Sequence, residues 1–264
     1  MINLNYKEVG EGYPFIILHG LYGMSDNWIS FAQQISATYK VYLLDLRNHG
    51  QSDHDASHTY ADMVGDLLEF MDSHEIERAI ILGHSMGGKV AMKFAMEYPE
   101  RLSALIIADI APIDYQLSGD SSQIDKHRTI IDSMLALPIE TIASRKEAEI
   151  FLIERLGGSR TVQFLLKNIK RTGKGYRWRI NLLVLREFLS EIAGGLDVES
   201  YNSITSFPVL LIRGAKSDYV QKEGKVALKR MFPMIKFVTI ENAGHWLHAD
   251  QPEIFVDSIK KFLD

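Results

Sequence analysis

Four short, nearly unbroken apolar runs constrain this chain most: FIIL (15–18), VYLLD (41–45), AIIL (79–82) and ALIIAD (104–109). They lack the alternation of a half-exposed strand and suit strands buried on both faces of a parallel sheet. Between them, Asn27 to Ser36 and Tyr60 to Ser73 read as helices. In the second, Met63, Val64, Leu67, Leu68 and Met71 recur at three- and four-residue spacing and give one apolar face. Lys89 to Tyr98 reads as a further helix that Pro99 ends. Repeated strand–helix units of this kind predict an α/β fold, a mostly parallel sheet with helices on both faces.

The pattern changes at Pro112. Strand-like runs disappear until about Ser206, and four helices are expected instead: Ile124 to Leu135, Ser144 to Leu156, Arg160 to Lys167 and Asn181 to Ile192. Strand character resumes at PVLLIRG (208–214) and IKFVTI (235–240), and a last helix runs from Pro252 to Leu263. The expected organisation is a core of residues 1–111 and 207–264, split by a helical cap insertion at 112–206.

Composition bounds the function. The formal net charge of -5 argues against a nucleic-acid surface, and the one basic stretch, KNIKRTGKGYRWR (167–179), reads as a solvated loop. With no cysteine, disulfides, a thiol nucleophile and thiolate metal sites are excluded. No apolar stretch reaches the roughly 18 residues that span a bilayer, so stable membrane insertion is not expected. The N-terminal segment has no basic region before its apolar run, and a cytoplasmic location is the expectation. The nine histidines are scattered without metal-ligand spacing, so neither metal nor cofactor is expected.

The chemistry centres on GHSMGG (83–88), which has the form G-x-S-x-G between an apolar run and a helix. Small residues let neighbouring segments approach while Ser85 sits exposed at the tip of the turn. A serine hydroxyl needs a base to remove its proton during attack on a carbonyl. His245, in ENAGHWLHAD between the last expected strand and the last helix, is the best placed. His248 reads as a packing or hydrogen-bonding neighbour in the same loop, and His84 as a buried neighbour of the serine. The Met86 amide, at the start of a helix, is a candidate donor to a developing oxyanion. The Leu21 amide, in the glycine turn HGLYG (19–23), is the second. HGLYG is not G-x-G-x-x-G, which disfavours a dinucleotide-binding module.

Taken together, HGLYGMSDNW, DLRNHGQSD, GHSMGGKVAM and NAGHWLHADQPE resemble the α/β-hydrolase superfamily, most closely its small esterase and thioesterase branch with the YbfF-like bacterial esterases and abhydrolase-domain protein 11. The resemblance implies a Ser-His-Asp hydrolase with a helical cap. It makes Ser85 the nucleophile, His245 the base, and the Leu21 and Met86 amides the oxyanion hole. Asp45, Arg47, His49, Gly50 and Ser52 match a loop that supports the pocket. In most of the superfamily the acid follows the strand after the cap, as G-x-x-D. Here Gly214-Ala215-Lys216-Ser217-Asp218 puts a serine at that place and Asp218 one residue late. Asp109 is the preferred acid, because YbfF-like esterases resemble this chain in D-I-A-P-x-D-Y and place the acid at that strand end. Asp218 is the alternative and Asp114 a third.

The reaction so implied is hydrolysis of a small-molecule ester or thioester. Tyr22, Trp28 and Trp246 are candidate substrate-binding residues. Met134, Leu135, Leu137, Phe151, Leu152, Phe164 and Trp178 are candidate cap residues lining the pocket. Alternatives on the same scaffold are an acyl-CoA thioesterase, a C–C hydrolase or lyase, a cofactor-free haloperoxidase-like enzyme, and a non-catalytic ligand receptor. Monomer and homodimer remain equally open.

Overall fold

Each apolar run becomes a strand with a helix on one side or the other. The computed structural model describes residues 2–116, 122–173 and 175–264. In chain order the first part comprises β1 (Tyr6–Val9), β2 (Tyr13–Leu18), α1 (Ile29–Ile35), β3 (Tyr39–Leu44), α2 (Tyr60–Ser73), β4 (Ala79–His84), α3 (Met86–Glu97) and β5 (Leu102–Ala108). Then follow α4 (Ser122–Ala136), α5 (Arg145–Leu156), α6 (Ser159–Leu165), β6 (Ile169–Arg171), β7 (Tyr176–Trp178), α7 (Leu182–Glu187) and α8 (Leu189–Ala193). The chain closes with β8 (Val209–Gly214), α9 (Lys222–Met231), β9 (Lys236–Ile240), α10 (Leu247–Asp250) and α11 (Pro252–Leu263).

The main sheet has the order β1-β3-β2-β4-β5-β8-β9. All neighbours are parallel except β1, which runs antiparallel on β3 with Tyr6 opposite Leu44. Alternate residues of each strand feed two cores. Ile16, Leu18 and Ile81 join Met63, Val64 and Leu67 of α2 and Val90 and Phe94 of α3. Phe15, Ile17, Val41 and Leu82 join Phe31 and Ile35 of α1 and Phe255 and Ile259 of α11. Covering both faces is why the runs carry so little polar interruption. The first core continues into the segment between β5 and β8 through Ile131, Met134, Leu152, Leu165 and Leu185.

Several expectations need adjustment. The basic stretch forms a two-stranded antiparallel hairpin, with Ile169 opposite Trp178, in place of a solvated loop. Its strands are three residues each, too short to show periodicity. The helix expected from Asn181 to Ile192 is two helices broken at Phe188. Edge strand β1 and helix α9 were not anticipated. Residues 117–121 of the expected cap, and Lys174 of the basic stretch, lie outside the described residues. Among the described residues, no helix is long and apolar enough to cross a membrane.

The loop after β3 is pinned to the sheet by its polar residues. The Asp45 carboxylate accepts hydrogen bonds from the Ser25 amide (2.6 Å), the Gln51 amide (2.9 Å) and the Asn5 side chain (2.8 Å). Arg47 donates from Nε and Nη2 to the two oxygens of Asp66 on α2, at 2.6 and 2.8 Å, in a buried bidentate pair. Removing one partner of a buried pair leaves an uncompensated charge. Asp66→Ala is therefore expected to cost about 3 kcal/mol, toward the low end because Arg47 keeps Asp62 at 3.5 Å. Urea unfolding checks the value, and a loss below about 1 kcal/mol contradicts it.

Candidate active site

The turn from β4 to α3 is a single residue. β4 ends at His84, α3 begins at Met86, and Ser85 between them has φ 52 and ψ -121. A non-glycine residue at such angles stores about 1–3 kcal/mol, which the packing on either side must hold. The flanking glycines explain how the turn fits. A Cβ on Gly87 would lie 2.5 Å from the carbonyl oxygens of Leu18 and His19, and one on Gly83 would lie 2.3 Å from that of Gly87. Ser85 is further fixed through its backbone: its amide donates to the Ala108 carbonyl at 3.0 Å, and its carbonyl accepts from Gly88 and Lys89.

His245, in the loop after β9, reaches the serine. Its Nε2 is 3.0 Å from Ser85 Oγ, and its Nδ1 is 2.8 Å from Asp109 Oδ2. An ionised carboxylate only accepts, so the proton sits on Nδ1 and leaves Nε2 bare to accept from the hydroxyl. Asp109 follows β5 in a left-handed conformation (φ 53) and is wholly buried. Its Oδ1 accepts from the Gly214 amide at 3.1 Å, and its Oδ2 also accepts from the Ser217 hydroxyl. The three carboxylates considered from sequence are thereby separated in place. Asp109 touches the imidazole, whereas Asp218 is exposed and uses its carbonyl to accept from Gln221. The carboxylate of Asp114 accepts from the Gln116 amide.

Ser217 is a site residue that the sequence reading passed over. It occupies the place where a G-x-x-D acid is expected, and it is buried with its hydroxyl on Asp109. The available signal was the departure from the motif itself. A serine where the acid is absent can serve the acid that has moved.

Leu21 and Met86 border a cavity at Ser85, and among the described residues neither amide donates a hydrogen bond to a protein acceptor. The Leu21 loop is held from beneath. The Tyr22 amide donates to His49 Nε2 at 3.3 Å, and the Tyr22 carbonyl accepts from Asn168 at 2.8 Å. His19 Nε2 accepts from the Leu46 amide at 2.9 Å. Burial lowers the pKa of His19 and of His49, keeping both rings neutral as acceptors require.

Tyr22, Trp28 and Trp246 line the cavity that holds Ser85 and His245, with Ile130, Phe164 and His248. Trp28 is buried and stacks on His248 at 4.1 Å between ring centroids. Of the expected cap lining, only Phe164 borders this cavity. Met134, Leu137 and Leu152 are buried in the core, and Leu135, Phe151 and Trp178 pack against it, because the inner faces of the cap helices are consumed by packing on one another. His84 donates from Nε2 to the His245 carbonyl at 2.8 Å, which fixes the loop of the base.

Comparison with known proteins identifies the family. The alpha/beta hydrolase fold family matches residues 13–127. The sn-1-specific diacylglycerol lipase ABHD11 of Danio rerio is 33% identical over 99% of this chain and 83% of its own length. Esterase YbfF of Escherichia coli (strain K12) is 30% identical over 95% of this chain and 93% of its own. Among solved structures, a marine microorganism esterase superposes with a TM-score of 0.95 at 39% identity, covering 99% of this chain and all (100%) of that one. The chain belongs to the α/β-hydrolase superfamily and is closely related to its YbfF/ABHD11-like esterases.

Two predictions follow from the geometry. Asp109→Asn is expected to lower kcat about 10⁴-fold, since the amide favours the wrong tautomer of His245. Ser217→Ala loses one hydrogen bond to a charged group and should cost roughly 10- to 100-fold, while Asp218→Asn stays within about twofold of wild type. Steady-state kinetics on an activated ester check all three, and a large effect of Asp218→Asn contradicts the assignment. The second concerns acid. Burial, the largest cause in each case, lowers the pKa of His58 to about 3, His127 to about 4 and His248 to about 3. The unfolded chain therefore binds more protons below about pH 6.5, and unfolding free energy falls as pH drops toward 4. Melting temperature against pH checks the sign, and a flat profile across that window contradicts it.

Proposed function

We propose that this chain is a serine carboxylesterase acting on short to medium acyl esters through an acyl-enzyme. One observation carries the reading: a continuous hydrogen-bonded line from buried Asp109 through His245 to Ser85, ending beside two free amides. His245 Nε2 takes the Ser85 proton as Oγ attacks the ester carbonyl, and Asp109 stabilises the imidazolium that forms. The Leu21 and Met86 amides receive the oxyanion of the tetrahedral intermediate. Collapse breaks the bond to the leaving alcohol, which takes the proton from Nε2. Water then attacks the acyl-enzyme by the same steps and frees the acid. The names of relatives, an esterase and a lipase, support this class of reaction. The apolar aromatic wall around Ser85 supports an acyl or aryl substrate over a highly polar one. The helices between β5 and β8 act in this reading as the cap that excludes water.

A second reading, a thioesterase with an anionic leaving group, is favoured by one feature. Phe164, Trp246 and His248 continue from the cavity at Ser85 into a surface groove bordered by Arg145, Arg160 and Lys167. Among the described residues of the basic stretch, only Lys167 reaches this groove, and Lys170, Arg171 and Arg177 lie exposed on the β6–β7 hairpin. A p-nitrophenyl ester series from acetyl to dodecanoyl, run beside acyl-CoA thioesters, separates the two. Turnover of the esters that falls at least about 10³-fold in Ser85→Ala is the expected result. Turnover equal to the Ser85→Ala background on every ester contradicts the proposal.

A further inference from the structure

The cleft at Ser85 has two compartments. The first holds His245, Trp28, Phe164 and Trp246, and continues to the surface groove. The second holds Tyr60, Lys89, Ile110, Tyr115, Ile192 and Tyr219. Among the described residues, only Ser85, Leu21 and His127 border both. Ser85 and Leu21 belong there as nucleophile and oxyanion donor. His127 comes from α4, on the opposite side of the cleft, and the reaction steps above give it no part.

His127 is held on both sides. Its Nδ1 lies 3.3 Å from the Tyr22 hydroxyl, which also donates to the His127 carbonyl at 3.3 Å. Its Nε2 lies 3.1 Å from the Tyr219 hydroxyl. With the Tyr22 proton on the carbonyl, Nδ1 donates to the Tyr22 oxygen and Nε2 accepts from Tyr219. Burial keeps the ring neutral, as this pattern requires. Tyr219 in turn stacks on His245, with 3.9 Å between ring centroids and 22° between planes. One imidazole of α4 thus joins the oxyanion loop to the aromatic ring that covers the base.

The two compartments are not equivalent for the chemistry. Protonation of the leaving group requires His245, which borders only the first. The leaving group therefore lies on that side, and the acyl group is directed to the other, whose apolar wall is formed by Leu21, Met86, Ile110, Ile124, Leu189 and Ile192. We propose that His127 is a specificity-determining residue: its ring, braced between Tyr22 and Tyr219, is the partition that closes the acyl compartment and limits the length of acyl chain accepted. This rests on Ser85 being the nucleophile of an ester hydrolase.

The test compares kcat/KM for butyryl and decanoyl p-nitrophenyl esters in wild type, His127→Ala, His127→Phe and Ser85→Ala. Each methylene that gains a buried place is worth about 0.8 kcal/mol, or roughly fourfold. His127→Ala merges the compartments and should raise the decanoyl-to-butyryl ratio roughly tenfold, through KM more than kcat. His127→Phe keeps the ring and loses both hydrogen bonds, and should leave the ratio within about threefold of wild type. If thermal melts show that the alanine variant is not folded, His127→Asn, smaller than histidine and still polar, is read in its place. An unmoved ratio in the small-residue variant overturns the partition, and so does an equal shift in His127→Phe. Wild-type turnover no higher than Ser85→Ala defeats the hydrolase reading and the partition with it. Serine-dependent turnover with an unmoved ratio defeats the partition alone.

Discussion

Gly87 lies against the carbonyls of Leu18 and His19, and that contact sets how close α3 comes to the end of the sheet. Because no Cβ intervenes, the first turn of α3 comes down beside the loop that follows β2. Met86, Leu21 and Ser85 then border one small cavity. The same closeness leaves a single residue to turn from strand to helix and forces Ser85 to φ 52. Neither side can relax that angle cheaply. β4 is buried along its whole length, and α3 is packed through Val90, Ala91, Phe94 and Ala95. Strain at Ser85 is thus held between a wholly buried strand and a largely buried helix.

The carboxylate on His245 shows how a parallel sheet tolerates rearrangement. β5 and β8 are adjacent and parallel, so their ends deliver Asp109 and Ser217 to one place. A carboxylate at the end of either strand can meet an imidazole from the loop after β9. When β5 carries it, the end of β8 is free to supply donors instead, and here it supplies the Gly214 amide and the Ser217 hydroxyl. Both neutralise part of a charge that is otherwise wholly buried.

Legibility in the sequence followed the range of the forces involved. Strands β2, β3, β4 and β5 announced themselves because burial on two faces leaves an unbroken apolar run. Edge strand β1, half-exposed along its length, and the three-residue strands of the β6–β7 hairpin left no comparable trace. Ser85 was legible because its turn demands glycine on either side, and His245 because it stands between the last strand and the last helix. Asp109 and Asp218 both stood at strand ends, and only the register of the sheet brings one of them to the imidazole. Ser217, marked only by a departure from a motif, and His127, marked by nothing, were missed for a different reason. Each matters through a partner more than 90 residues distant, at separations of 108 residues for Ser217–Asp109 and 92 for His127–Tyr219. Of the apolar residues named as candidate lining, most lie in the core, since such residues on the helices between β5 and β8 face one another before they face a cavity.

The claim on which all this turns is that Ser85 is an activated nucleophile. Reaction with a fluorophosphonate, followed by intact mass and peptide mapping, tests it without assuming any substrate. A single adduct on Ser85, formed quickly in wild type and much more slowly in Asp109→Asn, is the result expected of an assembled Ser-His-Asp relay. No adduct, or an adduct on another residue, would contradict it.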